Sequence, residues 1–278
     1  MKMWYVIIIA LTLTGTPRDA TAVEGPIIEK DPVEMITIPA GPFIRGSAAG
    51  EGRLDEQPRR KIYLNAFAID KYEVSNGHYI KFLEETLHKP PLNVFADHPF
   101  NQEEGIADLP VVQVTWHDAV DYCFWAGKRL PTEAEWEKAA RGNDGRLYPW
   151  GDETPTPQKA NYEKDWEEKK TFVEVTALPE GQSPYGLRNL AGNVREWVQD
   201  WYDSEYYSSA PDKNPMGPEA GILKVLRGGS WKSFDTDLRA TSRGKGGFAL
   251  KTHGIGFRCA RDIGPGQTAS PRNAQLGP

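Results

Sequence analysis

Cysteine is nearly missing from this 278-residue chain, which carries only Cys123 and Cys259. That excludes a disulfide-dense small scaffold and any zinc or iron–sulfur site built on four thiolates. A basic excess is missing as well. Lys and Arg number 33 against 39 Asp and Glu, for a net charge of −6. A nucleic-acid groove or a polybasic membrane patch would need clustered cations, so neither is expected. Beyond the N-terminus no segment is apolar enough to span a bilayer. The five histidines, His78, His88, His98, His117 and His253, show no ligand-spaced pair. Nucleophile elbows, phosphate-cradling glycine loops, kinase motifs and internal repeats are also lacking.

What the chain does have is an unusual trio of nine Trp, 27 Gly and 22 Pro, with 39% hydrophobic residues. That is enough apolar surface for a core. Many turns and many large flat side chains point to an irregular fold held by aromatic packing. The N-terminus combines Met1-Lys2, an apolar run over 3–13 and the small-residue pattern Ala20-Thr21-Ala22. Residues 1–22 therefore read as a secretory signal cleaved before Val23, the alternative being a retained N-terminal anchor. Residues 23–32 read as a linker, 33–263 as one folding unit and 264–278 as a flexible tail. Export to a periplasmic or extracellular compartment places both cysteines in oxidising surroundings. A single bridge and a reactive redox pair are then both open, because sequence spacing favours neither.

Local patterns predict brief strands and three short helices. Strands are expected at 35–43, 63–74, 111–114, 174–177, 223–227 and 255–261. Ser75 can cap a helix reaching about Thr86, with Tyr79, Phe82 and Leu83 on one face. Thr115 or Asp118 can cap a second, carrying Ala119, Val120, Tyr122, Cys123 and Trp125 and stopping at Gly127. Thr132 with Glu135 forms a capping box for a third, which closes at Arg141-Gly142. Arg129, Glu133 and Glu137 are helically spaced charges, expected to form a solvated or salt-bridged face. The sum is an α+β fold in a single compact domain with little regular secondary structure.

Several segments now fall into one order. They are Ile38-Pro39-Ala40-Gly41-Pro42-Phe43-Ile44-Arg45-Gly46, Tyr72-Glu73-Val74-Ser75-Asn76 and Pro110-Val111-Val112-Gln113-Val114-Thr115-Trp116. Next come the run from Ala126-Gly127-Lys128-Arg129-Leu130-Pro131 to Thr132-Glu133-Ala134-Glu135-Trp136-Glu137, then Tyr148-Pro149-Trp150-Gly151 and Tyr185-Gly186-Leu187 with Asn189. Gly192-Asn193-Val194 with Glu196-Trp197, Arg227-Gly228-Gly229-Ser230-Trp231 and Gly256-Phe257-Arg258-Cys259 complete the set. Over about 35–262 the chain resembles the formylglycine-generating enzyme, or sulfatase-modifying factor, family. The resemblance implies a variant of the C-type-lectin-like fold.

The founding enzymes of that family oxidise a cysteine of a client sulfatase, using two copper(I)-binding cysteines shortly after the Gly-Gly-Ser-aromatic segment. Soft thiolates suit Cu(I). Here residues 230–239 contain no cysteine, so no catalytic residue is assigned and no copper is expected. The resemblance instead matches Cys123 and Cys259 to a structural disulfide of the family. A second branch of the family uses iron held by histidines of an added helical domain, for which this chain has no room.

Calcium is the cofactor that the resemblance implies. Asn189 and Glu196 would offer side-chain oxygens, and Gly192 and Val194 backbone carbonyls, as a hard cation requires. The plain alternative is that Glu196 begins an amphipathic helix with Trp197, Val198 and Trp201. A second calcium site matches only at Asn161 and Tyr162, with its carboxylate open among Asp165, Glu167 and Glu168. Trp231, Asp235, Asp237, Arg239 and Arg243 sit where the family's groove lies and could form a polar ligand site. The alternative there is a polar loop with buried Arg pairing.

The expected function is an exported, calcium-stabilised, non-catalytic binding module or accessory subunit, with a protein partner or a small peptide-like ligand. The alternative is a periplasmic maturation enzyme using groove residues other than cysteine, acting on a peptide or siderophore precursor or as a reductase accessory. Formylglycine generation itself is disfavoured. A deep pocket lined by Trp231, Asp235 and Arg239 would favour the enzyme, and a flat apolar patch the docking surface.

Overall fold

Strand alternation sets the first layer. In β1 (Met35–Ile38) every second side chain is buried, and the strand pairs antiparallel with β4 (Phe67–Asp70), placing Ile36 opposite Ile69. The outer partner of β4 is β9 (Ala260–Asp262), so this three-stranded sheet ties the start of the folded unit to its end. Between them β2 (Gly41–Arg45) and β3 (Arg60–Leu64) form a separate antiparallel ribbon. These coordinates are a computed structural model, which describes residues 30–264 apart from 95, 96, 98 and 99. The expected signal at 1–22, most of the linker and the tail beyond Gly264 lie outside the described residues, as does His98.

A second, four-stranded sheet has the order β7-β6-β5-β8. It comprises β5 (Arg195–Trp201), β6 (Leu223–Arg227), β7 (Gly244–Gly247) and β8 (Ile255–Phe257). The β5–β8 pair is parallel and the others are antiparallel. Glu196 therefore lies on a strand and does not open a helix.

The three expected helices form, each with its own cap. Ser75 caps α1 (Asn76–Thr86) by accepting from the His78 amide. Thr115 caps α2 (Trp116–Trp125) with Asp118 in a reciprocal box. Thr132 and Glu135 do the same for α3 (Glu133–Arg141). A one-turn helix, Tyr206–Ser209 (α4), follows β5.

Five expected strands differ from the structure. The segment 35–43 divides at Ala40 between β1 and β2, which belong to different sheets. The segment 63–74 divides at Asn65-Ala66, where Asn214 Oδ1 takes the Asn65 amide and draws β3 and β4 into different sheets. The segment 111–114 is extended but makes no ladder. Val111 donates to the Val74 carbonyl and Gln113, at φ +60°, to Thr252, so its amides serve two different loops. At 174–177 the chain turns, closed by Ala177 N donating to Glu174 O. The stretch 255–261 is two strands, β8 and β9, parted where the Cys259 amide donates sideways to Asp70 Oδ2.

The core has two main parts. One gathers Tyr79, Phe82, Tyr122, Trp197, Trp231 and Phe257, and the other Ile38, Phe43, Phe67, Trp136, Val198 and Val225. Cys123 on α2 and Cys259 between β8 and β9 are joined by a disulfide across 136 positions, with a Cα–Cα distance of 5.7 Å. Among the described residues no helix is long and apolar enough to cross a membrane.

Candidate functional site

Helix α3 is buried along its whole length, charges included. Glu133 and Glu137 are one turn apart on the same face, and that face meets arginines rather than water. Arg227 of β6 donates to both, Nη1 to Glu133 Oε1 at 3.3 Å and Nη2 to Glu137 Oε2 at 2.9 Å. Arg243 clamps Glu133 with Nε at 2.7 Å and Nη2 at 3.0 Å. Tyr207 Oη, the Gly46 amide and Arg141 Nη1 complete the shell of Glu137. Burial opposes the ionisation of Glu133, but the charges of Arg243 and Arg227 outweigh it and hold the carboxyl below its usual range. Glu133 and Glu137 thus lie on a salt-bridged, buried face, while Arg129 binds Glu135 and Asp262 on a partly exposed one.

The five groove residues do not line one opening. Arg243 is spent on Glu133. Arg239 makes a two-pronged pair with Glu56, at 2.7 and 2.8 Å. Asp237 is held by Arg53 and by Arg195. Asp235 is exposed to solvent. Trp231 alone of the five borders a substantial cavity, of about 590 Å³. Its indole N–H donates to the His253 carbonyl at 3.1 Å, and Trp166 leans on both Trp231 and His253.

That cavity carries residues which sequence reasoning passed over. Arg195, Lys232, Lys245, Lys251 and His253 all line it, and no carboxylate does. Lysines scattered through Gly-rich loops look solvated in sequence, because nothing local marks them as neighbours. No thiol lies there, since neither cysteine is free.

The loop leading into β5 holds the expected cation ligands. Asn189 has φ +54° and Gly192 φ +84°. A Cβ at Gly192 would stand 2.3 Å from the Asn161 carbonyl oxygen, so only glycine permits this approach. Asn189 Nδ2 donates to Glu73 Oε2 and to the Val175 carbonyl, while its Oδ1 is buried with no hydrogen-bond partner. Glu196 accepts from Trp136 Nε1 and from Nε and Nη2 of Arg258. Three donors leave one of the roughly four acceptor positions of its carboxylate open. Burial, reinforced by the charge of Glu196, raises the Glu73 carboxyl to about 8. The buried Asn189 Oδ1, an amide oxygen without a partner, is a fit for an oxygen-seeking cation.

The other cation position is differently arranged. Asn161 donates through Nδ2 to the Thr171 carbonyl and to Asn193 Oδ1, and Tyr162 donates to the Pro155 carbonyl. Asp165, Glu167 and Glu168 are exposed. Among the described residues no three His, Cys, Asp or Glu side chains converge as a metal-binding group. A cation here would depend on amide and carbonyl oxygens. Glu73, which touches both Asn189 and Asn193, was quoted in the Tyr-Glu-Val segment without being given a role.

Comparison with known proteins agrees with this geometry. The sulfatase-modifying factor enzyme 1-like domain matches residues 24–263. The serine/threonine-protein kinase pkn1 of Chlamydia pneumoniae is 40% identical over 245 residues, which cover 83% of this chain and 38% of that protein. The chain thus spans about two fifths of the kinase-named relative. The formylglycine-generating enzyme of Streptomyces coelicolor is 34% identical over 280 residues, covering 82% of this chain and 89% of that enzyme. Among solved structures, PvdO from Pseudomonas aeruginosa superposes with a TM-score of 0.70 at 27% identity, covering 83% of this chain and 95% of its own. With its ordered segments, its fold and a domain match over most of its length, the chain belongs to the sulfatase-modifying factor family.

Proposed function

We propose that this protein is an exported, calcium-stabilised family member that acts without cysteine-dependent oxidation, as a binding module or accessory subunit whose ligand enters the cavity beside Trp231. The observation that carries this reading is the fate of the thiols. Both cysteines are joined to each other, and the Gly-Gly-Ser-Trp loop that borders the cavity has none. Copper(I) oxidation of a substrate thiol draws on soft thiolate ligands that are not available there.

The rival reading, a maturation enzyme working through Asp235, Asp237, Arg239 and Arg243, is weakened by the same geometry. Three of these four side chains are tied into ion pairs, and the fourth faces solvent away from the cavity lining. The match to a segment of a longer kinase-named protein supports a domain that serves within assemblies. Calcium bound through Asn189, Gly192, Val194 and Glu196 would cross-link the loop leading into β5. The N-terminal segment is what supports export.

The decisive experiment is incubation of the purified protein with a sulfatase-motif peptide, copper and oxygen, followed by mass spectrometry. The peptide's cysteine is expected to stay unmodified. Conversion to the aldehyde would overturn the reading. Affinity purification from the native host under mild conditions is expected to recover a stoichiometric partner.

A further inference from the structure

A cavity of about 590 Å³ in this acidic protein is rimmed by cations. The chain as a whole carries −6, yet the lining beside Trp231 contains Arg195, Lys232, Lys245, Lys251 and His253 and not one Asp or Glu. Arg195 already has Asp237 as its partner at 3.0 Å. The three lysines have no carboxylate partner among the described residues. Lys245 pairs with Val225 in the β6–β7 register, on the face opposite Leu226, and its ammonium rests over the Tyr202 ring, 4.4 Å from its centroid. Its charge therefore lies off the cavity face, and the rim charge comes from Lys232 and Lys251. Unpaired like charges gathered around one concavity repel each other and raise the local potential, which attracts an oppositely charged ligand.

The rest of the site describes the body of that ligand. Leu226, Leu250, Ile255 and Trp231 form an apolar floor, and Trp166 extends it as an aromatic wall. The cationic rim thus surrounds an apolar base, an arrangement that suits alternating acidic and large apolar side chains. One further feature favours an extended chain over a compact anion. The strand that borders the cavity, β7, is the outer strand of its sheet, and it has no second strand partner among the described residues. Its sequence, Gly244-Lys245-Gly246-Gly247, presents backbone with little side-chain cover, as strand addition requires.

We propose that this cavity binds an acidic peptide segment of a partner protein, in extended form, with carboxylates on the lysine rim and an apolar side chain against Trp231. The proposal rests on the binding-module reading and adds to it the charge class of the partner.

The test uses the whole secreted chain and three fluorescein-labelled probes. The first is a pool of eight-residue peptides drawn from Glu, Asp, Phe and Leu. The second is the matching pool with Lys and Arg in place of the acids. The third is an eight-nucleotide oligothymidylate. Fluorescence anisotropy is read at low and at physiological salt. The acidic pool is expected to bind at least tenfold more tightly than the other two, more weakly as salt rises, and with quenching of tryptophan emission. Lys232 and Lys251 are exposed, so the double variant Lys232→Glu/Lys251→Glu is expected to keep the wild-type melting temperature while losing tenfold or more in affinity. The conservative pair Lys232→Arg/Lys251→Arg should restore binding. Absence of binding by the acidic pool, equal binding of the basic pool or the oligonucleotide, or indifference to the charge reversal would overturn the proposal. Preferential binding of the basic pool would do so while leaving the module reading intact. A mass change in the bound acidic peptide would support the charge assignment and overturn only the non-catalytic reading.

Discussion

Arg243 grips Glu133 through two nitrogens, Nε to Oε1 at 2.7 Å and Nη2 to Oε2 at 3.0 Å, with both side chains almost wholly out of solvent. The pair joins the segment before β7 to the first turn of α3. It turns a residue with the chemistry of a groove into part of the frame. Removing one partner of a buried pair leaves the other charge uncompensated. Glu133→Gln is therefore expected to destabilise the fold by about 3–5 kcal/mol, because the buried Arg243 would lose its carboxylate partner while Arg227 kept only Glu137. Urea titration measures this. A loss under about 1 kcal/mol, the range of exposed pairs, would show that the pair does not hold the frame.

The disulfide between Cys123 and Cys259 closes a loop of 136 positions. Cross-linking so long a loop restricts the unfolded chain, and its removal from a secreted domain costs about 2–5 kcal/mol. The Cys123→Ala/Cys259→Ala variant is expected to unfold at lower urea by that amount. Intact mass should rise by two hydrogens on reduction. Detection of free thiols in the native protein would contradict the bridge.

Asp200 gives the fold a pH dependence of defined sign. Its Oδ2 accepts the Glu133 amide at 2.7 Å, and it forms no ion pair among the described residues. Burial, followed by the charge of Glu133, raises its carboxyl to about 8 from an ordinary value of 3.8. Below about pH 4 the folded and unfolded chains both hold the proton. Between about 4 and 8 the unfolded chain has released it and the folded chain has not, so stability falls as pH rises. Asp200→Asn keeps the acceptor for the amide and removes the titration. The variant is expected to be more stable than wild type by about 2 kcal/mol or more at pH 9 and close to it at pH 4. Melting curves at the two pH values check this; a pH-independent difference would refute it.

Calcium makes the fourth prediction. Asn189 Oδ1, buried without a partner, is the atom a cation would satisfy. EGTA is expected to lower the melting temperature of the purified protein, and added Ca²⁺ to restore it. Asn189→Ala should abolish the response. An unchanged melt, together with no calcium by elemental analysis, would remove the ion from the account.

Much of the local structure was legible. Ser75, Thr115 and Thr132 each announce a helix start, because an N-cap acts within four residues of itself. The strand Leu223–Arg227 was legible too. Strand division was not. The break at Asn65 depends on Asn214, 149 positions away, and the extended run at 111–114 finds its acceptors at Val74 and Thr252. Groove membership was misjudged for the same reason. Asp235, Asp237, Arg239 and Arg243 are close in sequence, but the last three have partners at Arg195, Glu56 and Glu133 on separate elements.

The sequence by itself determined the family, the capped helices and the absence of a thiol from the Gly-Gly-Ser-Trp segment, because order, caps and composition are properties of the chain read locally. Only the tertiary structure decided which charges neutralise one another. Glu133 and Arg243 are 110 positions apart, and Lys232 and Lys251 come to one cavity only where the loop after β7 meets the Gly-Gly-Ser-Trp segment. Charge pairing follows distance in space, which falls off too steeply to be read from distance along the chain.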